Sequence, residues 1–225
     1  MVFSEIKTPD DLIRTVRQVG FLPYFSGPVP GFCIDDMVPW EVWNANHGLG
    51  PWLWRDDIAH EGSCLYGKFF SGKIGYVSRE WFPYFANYRR NGYDFDSLYD
   101  EGLAKFDDKK IYDLITEHGP VTTPELRRLA GAPKGKSSRF ESSMTRLQMM
   151  TYVIPSDFLF PRDENGEKKF SYGTTVYDLP ERVLGEDFVK SQYAADPAES
   201  LAKIKDHLMK IIPEADEEAI LTFLR

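Results

Sequence analysis

The 225-residue chain has little from which to build a metal centre or a covalent framework. It carries two cysteines, Cys33 and Cys64, and four histidines. The cysteines fit no metal-ligand spacing and read as small buried apolar side chains in a reducing compartment. His60-Glu61 beside Cys64 lacks the second close pair that a zinc site needs, so no metal and no cofactor are expected. Glutamine is scarce as well, with Gln18, Gln148 and Gln192 each isolated. No run approaches the ~20 apolar residues of a membrane span. The N-terminal MVFSEIKTPDDLIRTV lacks both the basic and the apolar region of a signal peptide. A cytoplasmic monomer with no membrane partner is therefore expected. Excess positive charge is missing too: the formal net charge is −8 and the pI about 5.1. Counterion release rewards clustered Lys and Arg, and long-range repulsion opposes approach, so this balance excludes a non-specific polyanion binder. Any nucleic-acid contact has to be local.

What is present is a core. Hydrophobic residues make up 42% and aromatics 15% of the chain, enough for one large domain or two small ones without staples. Thr8-Pro9-Asp10-Asp11 reads as a helix start, followed by an apolar face of Leu12, Ile13, Val16 and Val19 and a stop at Gly20. VGFLPYFSGPVPGF, rich in proline, glycine and aromatics, reads as a packed loop crossing the core. Residues 39–46 read as a short helix. Residues 63–78 read as a hairpin around Ser71-Gly72, where Gly67-Lys68 and Gly72-Lys73 are bend residues rather than a phosphate loop. Ser78 is a candidate cap for a helix through REWFPYFANYRR. The connector NGYDFDSLYDEG marks a boundary near residue 100.

Beyond it, helices are expected over 109–118, from Thr123-Pro124-Glu125 to Gly131, and from Ser137 onward, then strands over 152–160 and 169–178. Helix, helix, helix, two-stranded wing is the order of a winged helix-turn-helix. Residues 196–225 add two amphipathic helices broken at Pro213. The expected fold class is α+β. It comprises an aromatic-rich, winged-helix-like region at 1–100, a winged-helix domain at 101–190 and a helical segment at 191–225 packing on the rest.

The charge that does exist is concentrated. Between residues 126 and 148 stand six bases (Arg127, Arg128, Lys134, Lys136, Arg139, Arg146) against one acid, Glu141, whereas residues 178–225 hold eleven acids and six bases. On a helical wheel Phe140, Met144 and Leu147 lie together, and Ser138, Arg139, Ser142, Thr145 and Arg146 fall on the other side. Arg, Ser and Thr are the residue types of a groove-facing helix, and Lys134 and Lys136 would reach phosphates near its N-terminus. The candidate DNA contacts are Arg127, Lys134, Lys136, Ser138, Arg139, Ser142 and Arg146. The plainer alternative is the solvated face of an ordinary helix.

IYDLITEHGPVTTPELRRLAG, a helix running into YVIPSDF, and TTVYDLPERVLGEDF together resemble the winged-helix portion of the AlkZ/YcaQ proteins, bacterial DNA glycosylases that excise alkylated or crosslinked bases. VYDLPERVL is similar to the closing wing strand and the turn after it, and YVSREWFPYFANYRR to an upstream strand-to-helix segment, so the resemblance covers roughly residues 60–190. It implies stacked winged-helix-like units around a DNA channel. It also implies a Gln-x-Gln or Gln-x-Asp motif that positions water or stabilises the sugar cation. In the equivalent place, Val19 to Phe25, Pro23 and Phe25 stand where the two polar residues would be, and none of the isolated glutamines supplies the motif. The chain is accordingly expected to bind duplex DNA without the standard glycosylase chemistry, its catalytic residues being unknown.

Two other functions remain open. One is a glycosylase that recruits Asp56, Asp57 or Glu80; the other is a winged-helix module that binds protein. Of the dense aromatics, Tyr24, Trp52, Trp54 and Trp81 are the candidates for a base pocket, although most such rings are core.

Overall fold

A computed structural model describes residues 4–132, 138–169 and 171–224. The first helix, α1 (Pro9–Val19), starts where its residue types dictate. The Thr8 hydroxyl accepts from the Asp11 amide at 3.2 Å and the Asp11 carboxylate accepts from the Thr8 amide at 3.1 Å, a reciprocal cap. Leu12, Ile13, Val16 and Val19 face inward. Gly20 ends the helix at φ +81°, and a Cβ there would stand 2.8 Å from the Trp81 ring, so both backbone and space demand glycine.

The segment expected to be only a loop begins as a strand, β1 (Phe21–Pro23). The proline needs no ladder donor at the strand's last position, and the partner residues Gly75 to Val77 supply the pairing. Next come α2 (Ile34–Met37), α3 (Trp40–Gly48), a 3-10 turn (Gly50–Trp54) and α4 (Arg55–Glu61). The hairpin forms as expected from β2 (Cys64–Phe70) and β3 (Lys73–Ser78), giving an antiparallel sheet of order β1-β3-β2. Ser78 is the last residue of β3 rather than a cap; α5 (Phe82–Arg90) starts from Trp81 with Pro83 in its first turn. The connector folds too. Asp94 accepts from the Ser97 amide at 2.8 Å and caps α6 (Phe95–Asp100).

The second half follows its grammar: α7 (Phe106–His118), β4 (Val121–Thr122), α8 (Thr123–Ala130), α9 (Ser138–Met149), β5 (Ile154–Leu159) and β6 (Thr174–Asp178), with a second antiparallel sheet of order β4-β6-β5. The strands are shorter than their β-rich runs, and Ser137, the expected first residue of α9, lies outside the described residues. The chain closes with α10 (Pro180–Leu184), α11 (Glu186–Val189), α12 (Pro197–Ile211) and α13 (Glu217–Phe223), the last two separated around Pro213. The fold is α+β with a helical C-terminus, consistent with a winged-helix-like architecture. Among the described residues no helix is long and apolar enough to cross a membrane.

Two cores are built. The first joins the β1-β3-β2 sheet and α5 (Phe21, Phe69, Phe82, Phe85) to the C-terminal helices (Ile204, Leu208, Phe223). The second joins α6 to α9 through Phe95, Ile111, Ile115, Leu126, Phe140 and Met144. The wing belongs to both, since Tyr177 of β6 packs against the second core and Ile154 and Phe158 of β5 sit in the first. Helix α10, directly after β6, fixes this join. Arg182 caps α7, donating to Ile115 O at 3.1 Å and to the Asp178 carboxylate at 2.8 Å, while Glu181 receives Arg90 from α5 at 2.5 Å.

Candidate nucleic-acid interface

The apolar face of α9 is spent on the second core, where Phe140, Met144 and Leu147 are buried. Its later turns are spent on the β2–β3 hairpin. The Lys68 ammonium donates to the Thr145 hydroxyl at 3.0 Å, the Lys68 amide donates to the Gln148 side-chain oxygen at 3.2 Å, and Gly72 at the hairpin tip abuts Thr145. A helix so covered cannot lie along a groove over its full length.

Charge is spent internally as well. Arg146 forks onto the buried Asp108 carboxylate at 2.8 and 2.5 Å and donates to the Ser143 hydroxyl at 3.0 Å. The hydrogen bond to Asp108 raises the Arg146 pKa. Arg127 pairs with Glu141 and lies 4.6 Å from the Phe140 ring centre. Ser138, Arg139 and Ser142 are exposed on the first turns of α9, with the exposed Arg128 on α8, which forms a long ion pair with the exposed Glu125 at 3.8 Å. Lys134 and Lys136 lie outside the described residues.

The four candidate pocket rings divide. Tyr24 is fully buried and stacks on Trp52 with ring centres 4.4 Å apart and planes at 2°, its hydroxyl donating to Pro51 O at 3.2 Å. Burial pushes the pKa of the Tyr24 phenol up, so it stays neutral. Phe25, 40% exposed, tilts against both rings, and Tyr172 of the wing meets Trp52 edge-on at 6.2 Å. Trp54 packs half-buried against the first core. Trp81 joins a different cluster, where it stacks on His207 at 4.2 Å.

The candidate carboxylates are equally divided. Asp56 and Asp57 both hold the Lys168 ammonium, at 2.7 and 2.9 Å, whereas Glu80 is exposed beyond β3. Two residues that no sequence signal singled out organise this corner. Lys168 reaches back from the wing to α4. Arg55, 7% exposed, donates to Trp52 O at 2.9 Å and to Tyr172 O, with its guanidinium 4.5 Å from the Phe158 ring centre. Together they tie the wing to α4 and the 3-10 turn before it.

A family model described as AlkZ related matches residues 6–225. The chain belongs to the AlkZ-related family. Membership relates it to the DNA-repair glycosylase superfamily. No curated protein and no solved structure gives a significant match.

The AlkZ-related chain also carries one titratable ring at the joint between its first sheet and its C-terminal helices. His207 sits on Trp81 with Nε2 3.0 Å from Val19 O, and burial lowers its pKa below the usual 6.5, against smaller opposing effects of Val19 O and Glu80. A depressed folded pKa means that the unfolded chain takes the proton more readily. The contribution is present above pH 6.5 and is lost as pH falls through the folded pKa. Urea midpoints measured between pH 7.5 and 5 are expected to fall, and His207→Phe to flatten part of that fall; an unchanged slope in the variant would remove His207 from the account.

Proposed function

We propose that this AlkZ-related chain binds duplex DNA through the exposed start of α9 and does not carry out glutamine-dependent base excision. The observation that supports it is the edge formed by Arg128, Ser138, Arg139 and Ser142, a locally basic, hydrogen-bonding surface on a chain of net charge −8. Few exposed cations and a covered helix favour phosphate contacts over base readout, so binding is weak, shallow in salt dependence and tolerant of sequence.

The test is fluorescence anisotropy of a labelled duplex across a salt series. Replacing Arg128 and Arg139 together with alanine should lower the slope of log K against log[salt] by about two, roughly one for each phosphate that is no longer neutralised. Arg146→Ala should leave the slope unchanged and lower the urea midpoint instead, because it strands buried Asp108. A parent protein that fails to bind duplex DNA at low salt would refute the proposal. It would favour a protein-docking module, for which Leu103 and Phe106, 61% and 70% exposed, are an available apolar surface.

A further inference from the structure

The far end of the β2–β3 hairpin from α9 opens into a cleft of about 950 Å³, within the size range of small-molecule sites. α1 contributes Arg14, Arg17 and Gln18 to it, and the strand ends contribute Ser63, Ser78 and Arg79. β2 rises roughly 3.3 Å per residue, so Ser63 in the cleft lies some 15–20 Å from Lys68, where β2 meets the later turns of α9.

The cations in it differ in their commitments. Arg14 pairs with Asp11 at 3.2 Å. Arg17 and Arg79 make no ion pair within 4.0 Å with any described residue, and the Arg79 guanidinium carbon lies 5.1 Å from the Phe188 ring centre. A guanidinium with no carboxylate partner keeps its paired N–H groups for bidentate contact with a phosphate. Ser78 adds an independent sign. It is 2% exposed, it lines the cleft, and its buried hydroxyl has no hydrogen-bond partner among the described residues. Such a group keeps a desolvation cost until a hydrogen-bond partner satisfies it.

The cleft is also lined by three acids, Asp10, Glu61 and Glu80. Glu61 is engaged by the Ser63 amide at 2.9 Å and by its hydroxyl. Asp10 lies seven residues before Arg17 on α1, about 10 Å along the helix, and Glu80 also acts on the His207 imidazole. The cleft thus offers guanidinium forks for an anion and carboxylates for hydrogen-bond donors, with Ile13 and Phe188 for apolar contact between.

The geometry points to a second binding site on this protein, for a small organic phosphate that carries hydroxyl or amino donors, of the size and type of a nucleoside monophosphate. Arg17 and Arg79 take the phosphate, and Asp10, Glu61 and Glu80 accept from the donors. The same phosphate chemistry occurs in a DNA backbone, so the test separates the two sources. Adenosine 5′-monophosphate, adenosine and a short duplex are titrated into the full chain by calorimetry. The monophosphate is expected to bind, with adenosine about tenfold weaker or worse, as for loss of one charge-assisted hydrogen bond. The double variant Arg17→Ala, Arg79→Ala is expected to lose about tenfold in monophosphate affinity at an unchanged melting temperature and to hold duplex DNA as the parent does. Absence of monophosphate binding at millimolar concentration, equal binding of adenosine, or an unaffected double variant would each overturn the site. Loss of duplex binding in that variant would overturn it too, since the cleft would then belong to the DNA backbone.

Discussion

Replacing Arg90 with alanine is expected to cost about 3–5 kcal/mol of folding stability, the usual effect of removing one partner from a buried, hydrogen-bonded ion pair. Arg90 is 2% exposed, and its guanidinium reaches four groups that come together only in the folded chain. It donates to the Glu181 carboxylate at 2.5 Å, the Tyr193 hydroxyl at 2.8 Å, Thr151 O at 2.6 Å and the Thr151 hydroxyl at 3.2 Å, and it lies 4.6 Å from the Tyr152 ring centre. Thr151 has φ +62°, a left-handed conformation that a β-branched residue adopts only when its surroundings enforce it. The clamp therefore joins α5 to the turn after α9, to α10 and to the segment before α12. Total stability of a domain is about 5–15 kcal/mol, so the loss should be visible as partial unfolding at 37 °C. Arg90→Lys keeps the charge but not the fork and should fall between the two. The measurement is urea unfolding followed by circular dichroism. A loss in Arg90→Ala below about 1 kcal/mol, the value of an exposed pair, would show that the clamp carries no such weight.

This clamp shows where sequence patterning ends. Local chemistry was legible: Thr8-Pro9-Asp10-Asp11 caps α1 because every partner it needs lies within four residues. The hairpin at Ser71-Gly72 was legible for the same reason. The wheel for α9 correctly turned Phe140, Met144 and Leu147 inward, because amphipathic period depends only on spacing. It could not say what meets the opposite face. Arg146 looked available until the fold brought Asp108 to it from 38 residues away, and Thr145 until Lys68 arrived from 77 away. β1 was hidden in the same manner, since three residues ending in proline carry no strand signal and pair only because β3 lies alongside. The pocket rings illustrate the limit most clearly: Tyr24 and Trp52 are 28 positions apart and stacked, while Trp81 turns to His207, and no periodicity encodes that choice.

The same distinction bears on chemistry. Incubated in excess with duplexes carrying alkylated or crosslinked purines, the protein is expected to leave no alkali-labile sites above background. Departure of a base from its sugar requires a polar group that holds water or stabilises the developing cation, and deleting one such preorganised group costs about 10²–10³ in rate. Pro23 and Phe25, the residues in the position that resembles the family motif, offer neither donor nor acceptor on their side chains. Their surroundings do not repair the deficit. Pro23 pairs with Gly75 in β1, Tyr24 is locked to Ile74 O through its amide at 2.9 Å, and Phe25 leans on Trp52. The nearby carboxylates Asp56 and Asp57 are already held by Lys168. Pro23→Gln alone should not create activity, because one glutamine at a strand end fixed in this way lacks the second polar group with which the motif acts. The assay is alkaline cleavage of lesion-bearing duplexes read on a sequencing gel. Robust strand breakage by the parent protein would reverse this conclusion, and Lys168→Ala would then be informative, since freeing Asp56 and Asp57 should change the rate if either is the acid or base and leave it alone if Glu80 is.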